Sequence, residues 1–150
     1  IDFTVPYVEI EATYLVPAGS PIRSLGDVDR KGVRIAVSDR SAYDLWLTRN
    51  IKHAELRRVE GIGASFDLFV KERLEVLAGL KPRLLEDVEK LPGARILEGK
   101  FTAVQQAIGT PKGRAQGYAF LRKFAEDVKA SGLVAELIAR HNIKGLSVAP

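Results

Sequence analysis

Apolar residues occur in short stretches of two kinds, alternating runs and helically spaced runs, with turns between them. Residues 1–6 are extended and end at Pro6. Residues 9–16 alternate and then become fully apolar through Ile10, Ala12, Tyr14 and Val16, which predicts a strand. Pro17-Ala18-Gly19-Ser20-Pro21 is a turn cluster. Ser24-Leu25-Gly26-Asp27-Val28 reads as one helical turn. A β-branched strand follows (Val33, Ile35, Val37), and then a helix over residues 41–49. Residues 55–59 form the next strand, and 61–64 are loop. Ser65 is expected to cap a helix through Phe66, Leu68, Phe69 and Val70. Residues 74–80 are an apolar strand. Pro82 suits the first turn of a helix over 83–90, which Leu91-Pro92-Gly93 breaks. Strands are predicted at 94–97 and 101–108. A long helix opens at Lys112 and Gly113 and runs to about residue 131, with Gly132 ending it. A further amphipathic helix covers 133–140, and residues 142–150 read as a tail.

Short strands alternating with helices argue an α/β fold with a mostly parallel sheet. In such sheets a ligand lies beyond the carboxyl ends of the strands, so the loops at 38–43, 61–65 and 80–82 are the ones that face it. The stretch from Val33 to Tyr43 is the centre of the pattern. A strand empties there into a helix N-terminus, with Asp39 or Ser41 available as its cap. The first N–H groups of a helix lack partners within it, and with the helix dipole they seat an anion or a carbonyl. The same sequence also describes an ordinary capped junction, and both readings stand at this point.

The 150 residues suffice for one domain with a core, and the apolar fraction of 46% is that of a globular chain. The net charge of +4 is spread among carboxylates rather than gathered into a stripe, which argues against nucleic acid as a partner. With no Cys, disulfides and thiolate metal sites are excluded. His53 and His141 are far apart, without metal-ligand spacing; the first is expected on a helix–strand loop and the second near a helix C-terminus. The chain lacks Met even at its start, so it reads as part of a longer protein, and the absence of a visible signal peptide carries no weight. Gly61-Ile62-Gly63 lacks the third glycine of a dinucleotide fingerprint, and no P-loop or nucleophile elbow occurs. Glu86, Asp87 and Glu89 read as a solvated helix face. Tyr7, Tyr14 and Tyr43 each combine an apolar ring with a hydroxyl, which suits either ligand stacking or the core. Neither a cofactor nor a metal is called for.

Phe3-Thr4-Val5-Pro6-Tyr7 resembles the Phe-(Ser/Thr)-x-Pro-Tyr signature of bacterial extracellular solute-binding proteins of family 3, the amino-acid type that serves ABC transporters. Residues 24–28, 32–37, 40–42, 72–76, 109–113 and 130–133 resemble later segments of that family in the same order. The resemblance implies a periplasmic-binding-protein type II-like α/β fold. It comprises one complete lobe with a parallel-rich sheet, plus crossover strands and C-terminal helices of the other lobe. On that template the chain is a C-terminal fragment. Residues 1–21 would be the end of lobe one and the first crossover, and 22–100 would be lobe two. The second crossover and the C-terminal helices, packing on lobe one, would occupy 101–150. The family's proteins are periplasmic and deliver a small molecule to the membrane subunits of an ABC transporter, without covalent chemistry.

Ser38, Arg40, Ser41, Ala42, Leu80 and Lys81, at the junctions the resemblance marks, and Tyr7, Tyr14 and Tyr43, for their rings and hydroxyls, are the expected ligand-binding positions. The family's Gly-(Ser/Thr)-(Ser/Thr) turn keeps only Ser41 here, with Arg40 in place of glycine and Ala42 in place of the second hydroxyl. Leu80 stands where amino-acid binders carry the Asp that pairs with the ligand ammonium, and an apolar residue cannot compensate a buried cation. Arg40 and Lys81 instead suit an anion such as a carboxylate or dicarboxylate. Two other readings belong to the same scaffold. One is a cyclohexadienyl dehydratase-like enzyme, with Glu75 or Asp39 as its acid or base; the other is a ligand-sensing domain of a receptor. A fragment without lobe one exposes Tyr118, Leu121, Phe124, Leu133 and Leu137, so it should dimerise or swap elements. Light scattering on the 150-residue chain is expected to give a dimer or larger species, and a clean monomer counts against this.

Overall fold

Side chains along a strand point to opposite faces in turn, and the central strands of this chain use both faces. The computed structural model describes residues Ile1–Pro150. In chain order the elements are β1 (Asp2–Phe3), β2 (Val8–Val16), a 3-10 turn (Leu25–Asp27), β3 (Arg34–Ser38), α1 (Ala42–Asn50), β4 (Glu55–Val59), α2 (Ile62–Lys71) and β5 (Val76–Leu80). They continue as α3 (Lys81–Val88), β6 (Arg95–Ile96), β7 (Thr102–Gln106), β8 (Gly109–Thr110), α4 (Ala115–Ala130), α5 (Leu133–Arg140) and β9 (Leu146–Val148). The chain forms two compact units. One is Glu11–Ala103; the other joins Ile1–Ile10 to Val104–Pro150.

In the Glu11–Ala103 unit the strand order is β4-β3-β5-β2-β6. Strands β3 and β4 run parallel, from Arg34 opposite Glu55 to Ser38 opposite Val59. Strand β5 is parallel to β3, with Ile35 opposite Val76. Strand β2 runs antiparallel to both β5 and β6, so the sheet is mixed and its parallel part is confined to β3, β4 and β5. The alternation of faces divides the core. Tyr14, Val16, Ile35, Val37, Val76 and Ala78 share one side with Tyr43 and Leu47 of α1. Leu15, Ala36 and Leu77 face the other side, with Phe69 of α2 and Leu84 of α3. Burial on both sides explains why β3 and β5 read as nearly unbroken apolar runs.

In the other unit β1 pairs antiparallel with β8, placing Asp2 opposite Thr110. The first residues of β2 pair with β9, Val8 opposite Val148 and Ile10 opposite Leu146. Helix α4 packs on α5 and β1, and α5 on β9. Gly132, at φ +79°, takes the left-handed conformation that ends α4 and lets α5 begin at once.

The structure corrects the sequence reading in three places. Residues 142–150 are not a tail but contain β9, a three-residue strand whose pairing partner lies at the far end of the sequence. Ser65 is not a cap. Helix α2 starts at Ile62 with Gly61 before it, and the Ser65 hydroxyl donates to the Ile62 carbonyl at 2.8 Å from inside the helix. Glu75 sits at the amino end of β5, away from the loops that follow β3, β4 and β5.

There Glu75 accepts two hydrogen bonds from the Arg34 guanidinium, at 2.8 and 2.9 Å, and one from the Arg34 backbone N–H at 2.8 Å. The guanidinium holds the Glu75 carboxyl below the usual carboxylate range, outweighing the effect of partial burial. A depressed folded-state value means the clasp stabilises fully above the unfolded value and is lost as pH falls through the folded one. Glu75→Gln is expected to lower stability by about 1 kcal/mol at neutral pH, a figure discounted for the pair's partial exposure. Urea unfolding at neutral pH and again in acid checks this, because the deficit should shrink once acid protonates the wild-type carboxylate.

Candidate functional site

The parallel register aligns the carboxyl ends of β3, β4 and β5 along one edge of the Glu11–Ala103 unit, and a helix N-terminus follows each strand. Ser41 precedes α1, Gly61 precedes α2, and Leu80 precedes α3 with Pro82 in its first turn. The Asp39 N–H donates to the Val59 carbonyl at 2.9 Å and ties the first two junctions together. Four expected site residues meet at the first junction. Ser38 ends β3 and is buried; Arg40 and Ala42 are exposed, and Ser41 is the N-cap. The Ser41 hydroxyl accepts the Asp44 N–H at 3.1 Å.

Arg40 has φ +59°, a left-handed conformation that a β-carbon disfavours. Its side chain is 92% exposed, with the Asp39 carboxylate 3.8 Å away. The turn is held from below by Asp44, whose side chain is 4% exposed. One Asp44 oxygen accepts the Arg40 backbone N–H at 3.0 Å, and the other accepts from Arg58 Nε at 2.9 Å. Arg58 also donates through Nη2 to the Thr48 hydroxyl at 2.7 Å.

At the third junction Leu80 is half-buried, and Lys81 opens α3 with its ammonium 3.0 Å from the Glu11 carboxylate. A cation in the first turn of a helix opposes the dipole, and Glu11 offsets that. Lys81 is therefore already paired within the unit. Tyr14 and Tyr43 lie in the core, 2% and 3% exposed. Tyr14 stacks on Phe101 at 4.4 Å between ring centroids. Burial raises both hydroxyls above the ordinary tyrosine range, and the charge of Asp29 pushes Tyr14 further the same way. Both rings are buried in the core, and the Tyr43 hydroxyl is hydrogen-bonded with Ser38 and Ser41 of the turn between β3 and α1. Tyr7 belongs to the other unit, where it lines an almost wholly apolar cleft of about 440 Å³ with Ile108, Phe124, Leu133, Leu137 and Leu146. Phe124, Leu133 and Leu137 of that cleft are exposed, whereas Tyr118 and Leu121 are half-buried.

Asp44, Arg58 and Glu11 are the site-edge residues that the sequence reading missed. For Asp44 a signal existed, since Ser41-x-x-Asp44 has capping-box spacing; nothing local marks the other two. No three His, Asp or Glu side chains come together as a metal site. No helix is long and apolar enough to cross a membrane.

No family model matches the sequence, and no curated protein matches it. Solved structures do match, and they define the fold. A solute receptor for L-cysteine from Neisseria gonorrhoeae aligns with a TM-score of 0.78 at 18% identity, covering 99% of this chain and 63% of that one. The GluR0 ligand-binding core in complex with L-glutamate aligns at 0.75 and 20% identity, covering 92% and 62%. An ancestral amino-acid-binding protein described as a precursor of cyclohexadienyl dehydratase aligns at 0.75 and 19%, covering 93% and 60%. The fold is thus of the periplasmic-binding-protein type II kind, in a chain that spans somewhat under two thirds of these neighbours' length.

The cap and the strained arginine give opposite expectations in unfolding experiments. Ser41→Ala should lower stability by about 1 kcal/mol through the lost cap. Arg40→Gly should leave stability unchanged or raise it by up to about 1 kcal/mol, because glycine accepts the left-handed turn. Urea titrations of both variants check this.

Proposed function

We propose that the chain is the larger part of an amino-acid-type solute-binding protein of an ABC transporter, working in the periplasm and binding a small polar, anionic molecule. The observation that carries this reading is the alignment of three helix N-termini along the carboxyl edge of β3, β4 and β5. Backbone N–H groups and helix dipoles converge there, as a site for a small polar ligand requires. Neighbours of the same fold whose names specify cysteine and glutamate as ligands support the choice of binding over catalysis. We read residues 22–100 as lobe two, and residues 1–21 and 101–150 as the crossovers with the closing segments. The apolar cleft around Phe124 and Leu137 is then the seat of the neighbours' lobe that has no counterpart in this chain. Ligand contacts from both lobes would shift the population toward a closed form.

Arg40 favours an anion over a standard amino acid, since its exposed guanidinium offers a fork for a carboxylate and Leu80 offers no partner to an ammonium. Lys81 contributes less than its charge suggests, because Glu11 neutralises it. The dehydratase reading loses Glu75, which is bound to Arg34 at the amino end of β5. Calorimetry on the intact protein tests the proposal with a panel of dicarboxylates and common L-amino acids. A dicarboxylate is expected to bind, and Arg40→Ala to weaken it about tenfold or more. Tight binding of a common L-amino acid would remove the anionic reading, and turnover of prephenate or arogenate would replace binding with catalysis.

A further inference from the structure

The turn between β3 and α1 already holds an anion, and that anion is the chain's own. Asp44 is buried, receives the Arg40 backbone N–H at 3.0 Å, and faces Arg58 Nε at 2.9 Å. Its own N–H is taken by the Ser41 hydroxyl at 3.1 Å. Its backbone carbonyl accepts the Thr48 hydroxyl at 2.8 Å, and Thr48 in turn receives Arg58 Nη2 at 2.7 Å. Asp44, Thr48 and Arg58 thus form a closed network whose charges cancel. The donors an acidic ligand group would seek, one backbone N–H and one guanidinium, are spent on an internal carboxylate. Arg40 is the contrast. Its backbone is pinned in the left-handed region while its guanidinium is exposed, with the Asp39 carboxylate 3.8 Å away.

We propose that Asp44 is a specificity-determining residue of this edge. It occupies the place where a carboxylate would meet the Arg40 N–H, so a carboxylate ligand engages the Arg40 guanidinium instead. The proposal rests on the carboxyl edge being the ligand site. The physical basis is a donor already in use. A second carboxylate brought to the turn finds the Arg40 N–H committed to Asp44, so one of the two would be left without that hydrogen bond. A carboxylate held by the Arg40 guanidinium outside the turn does not compete for that donor.

The test uses acetate as the probe and NMR of the isotope-labelled 150-residue chain as the readout. In the wild type, acetate is expected to move the Arg40 side-chain Nε–H resonance and leave the Arg40 backbone amide in place. In Asp44→Ala, the Arg40 backbone amide and the Arg58 Nε–H should shift saturably, with an acetate affinity about tenfold above that of the wild type. A saturable shift of the wild-type Arg40 amide overturns the proposal. So does a folded Asp44→Ala chain whose Arg40 amide ignores acetate. Asp44→Ser is the second variant if the alanine chain loses its dispersed spectrum. If both variants unfold, the wild-type titration decides by itself, because a silent amide beside a responding guanidinium supports the assignment and a responding amide defeats it. This readout reports the turn alone. A protein that binds no dicarboxylate by calorimetry, yet gains the acetate seat when Asp44 is removed, refutes the anionic-ligand reading and keeps this one.

Discussion

The parallel register between β3 and its two neighbours is the constraint on which the carboxyl edge of the sheet depends. With Ser38 opposite Val59 and Ile35 opposite Val76, the three strands end together. Each then turns into a helix at the same edge. Because side chains alternate along a strand, a slip of one residue would exchange Ile35 and Val37 with Ala36 and mismatch both cores at once. Register is therefore enforced from both sides, by Tyr43 and Leu47 on one face and by Phe69 and Leu84 on the other. The position of every group at the edge follows from that packing, including the left-handed Arg40 and the capping Ser41.

Charge along the same edge is organised by pairing. Lys81 meets Glu11, Arg58 meets Asp44, and Arg34 meets Glu75 at the opposite end of the strands. The first two pairs hold helix N-termini against the sheet; the third closes the strands' amino ends. Arg40 differs because its nearest carboxylate is 3.8 Å away and its side chain is solvated. In a chain with a modest net charge of +4, an exposed arginine in a disfavoured backbone conformation is a local feature rather than a reflection of composition.

Much of this was legible before the structure. Strand β4 and helix α5 fall where alternation and helical spacing put them, and the junction at Ser41 declared itself through β-branched residues followed by a cap. The misses have separate physical causes. Strand β9 has three residues, too few to show a period, and it forms because Val8, Glu9 and Ile10 offer an edge. Helix α2 begins at a glycine with a positive φ, which a search for hydroxyl caps passes over in favour of Ser65. Tyr14 and Tyr43 carry the same functional groups in the core as in a ligand site, so the sequence left both places open, and the fold buries both rings. Arg58 joined Asp44 through the tertiary fold, beyond the reach of any local motif.

The Arg34–Glu75 clasp lies at the amino ends of the parallel strands, while the turns into α1, α2 and α3 lie at their carboxyl ends. What keeps the strands together and what a ligand would touch are thus separated by the length of a strand. Substitutions in the turns can accumulate without loosening the clasp, and the clasp can be tuned without altering recognition. That division of labour leaves the scaffold free to diversify, and it gives a physical reason why sequences fewer than one residue in four identical share this architecture.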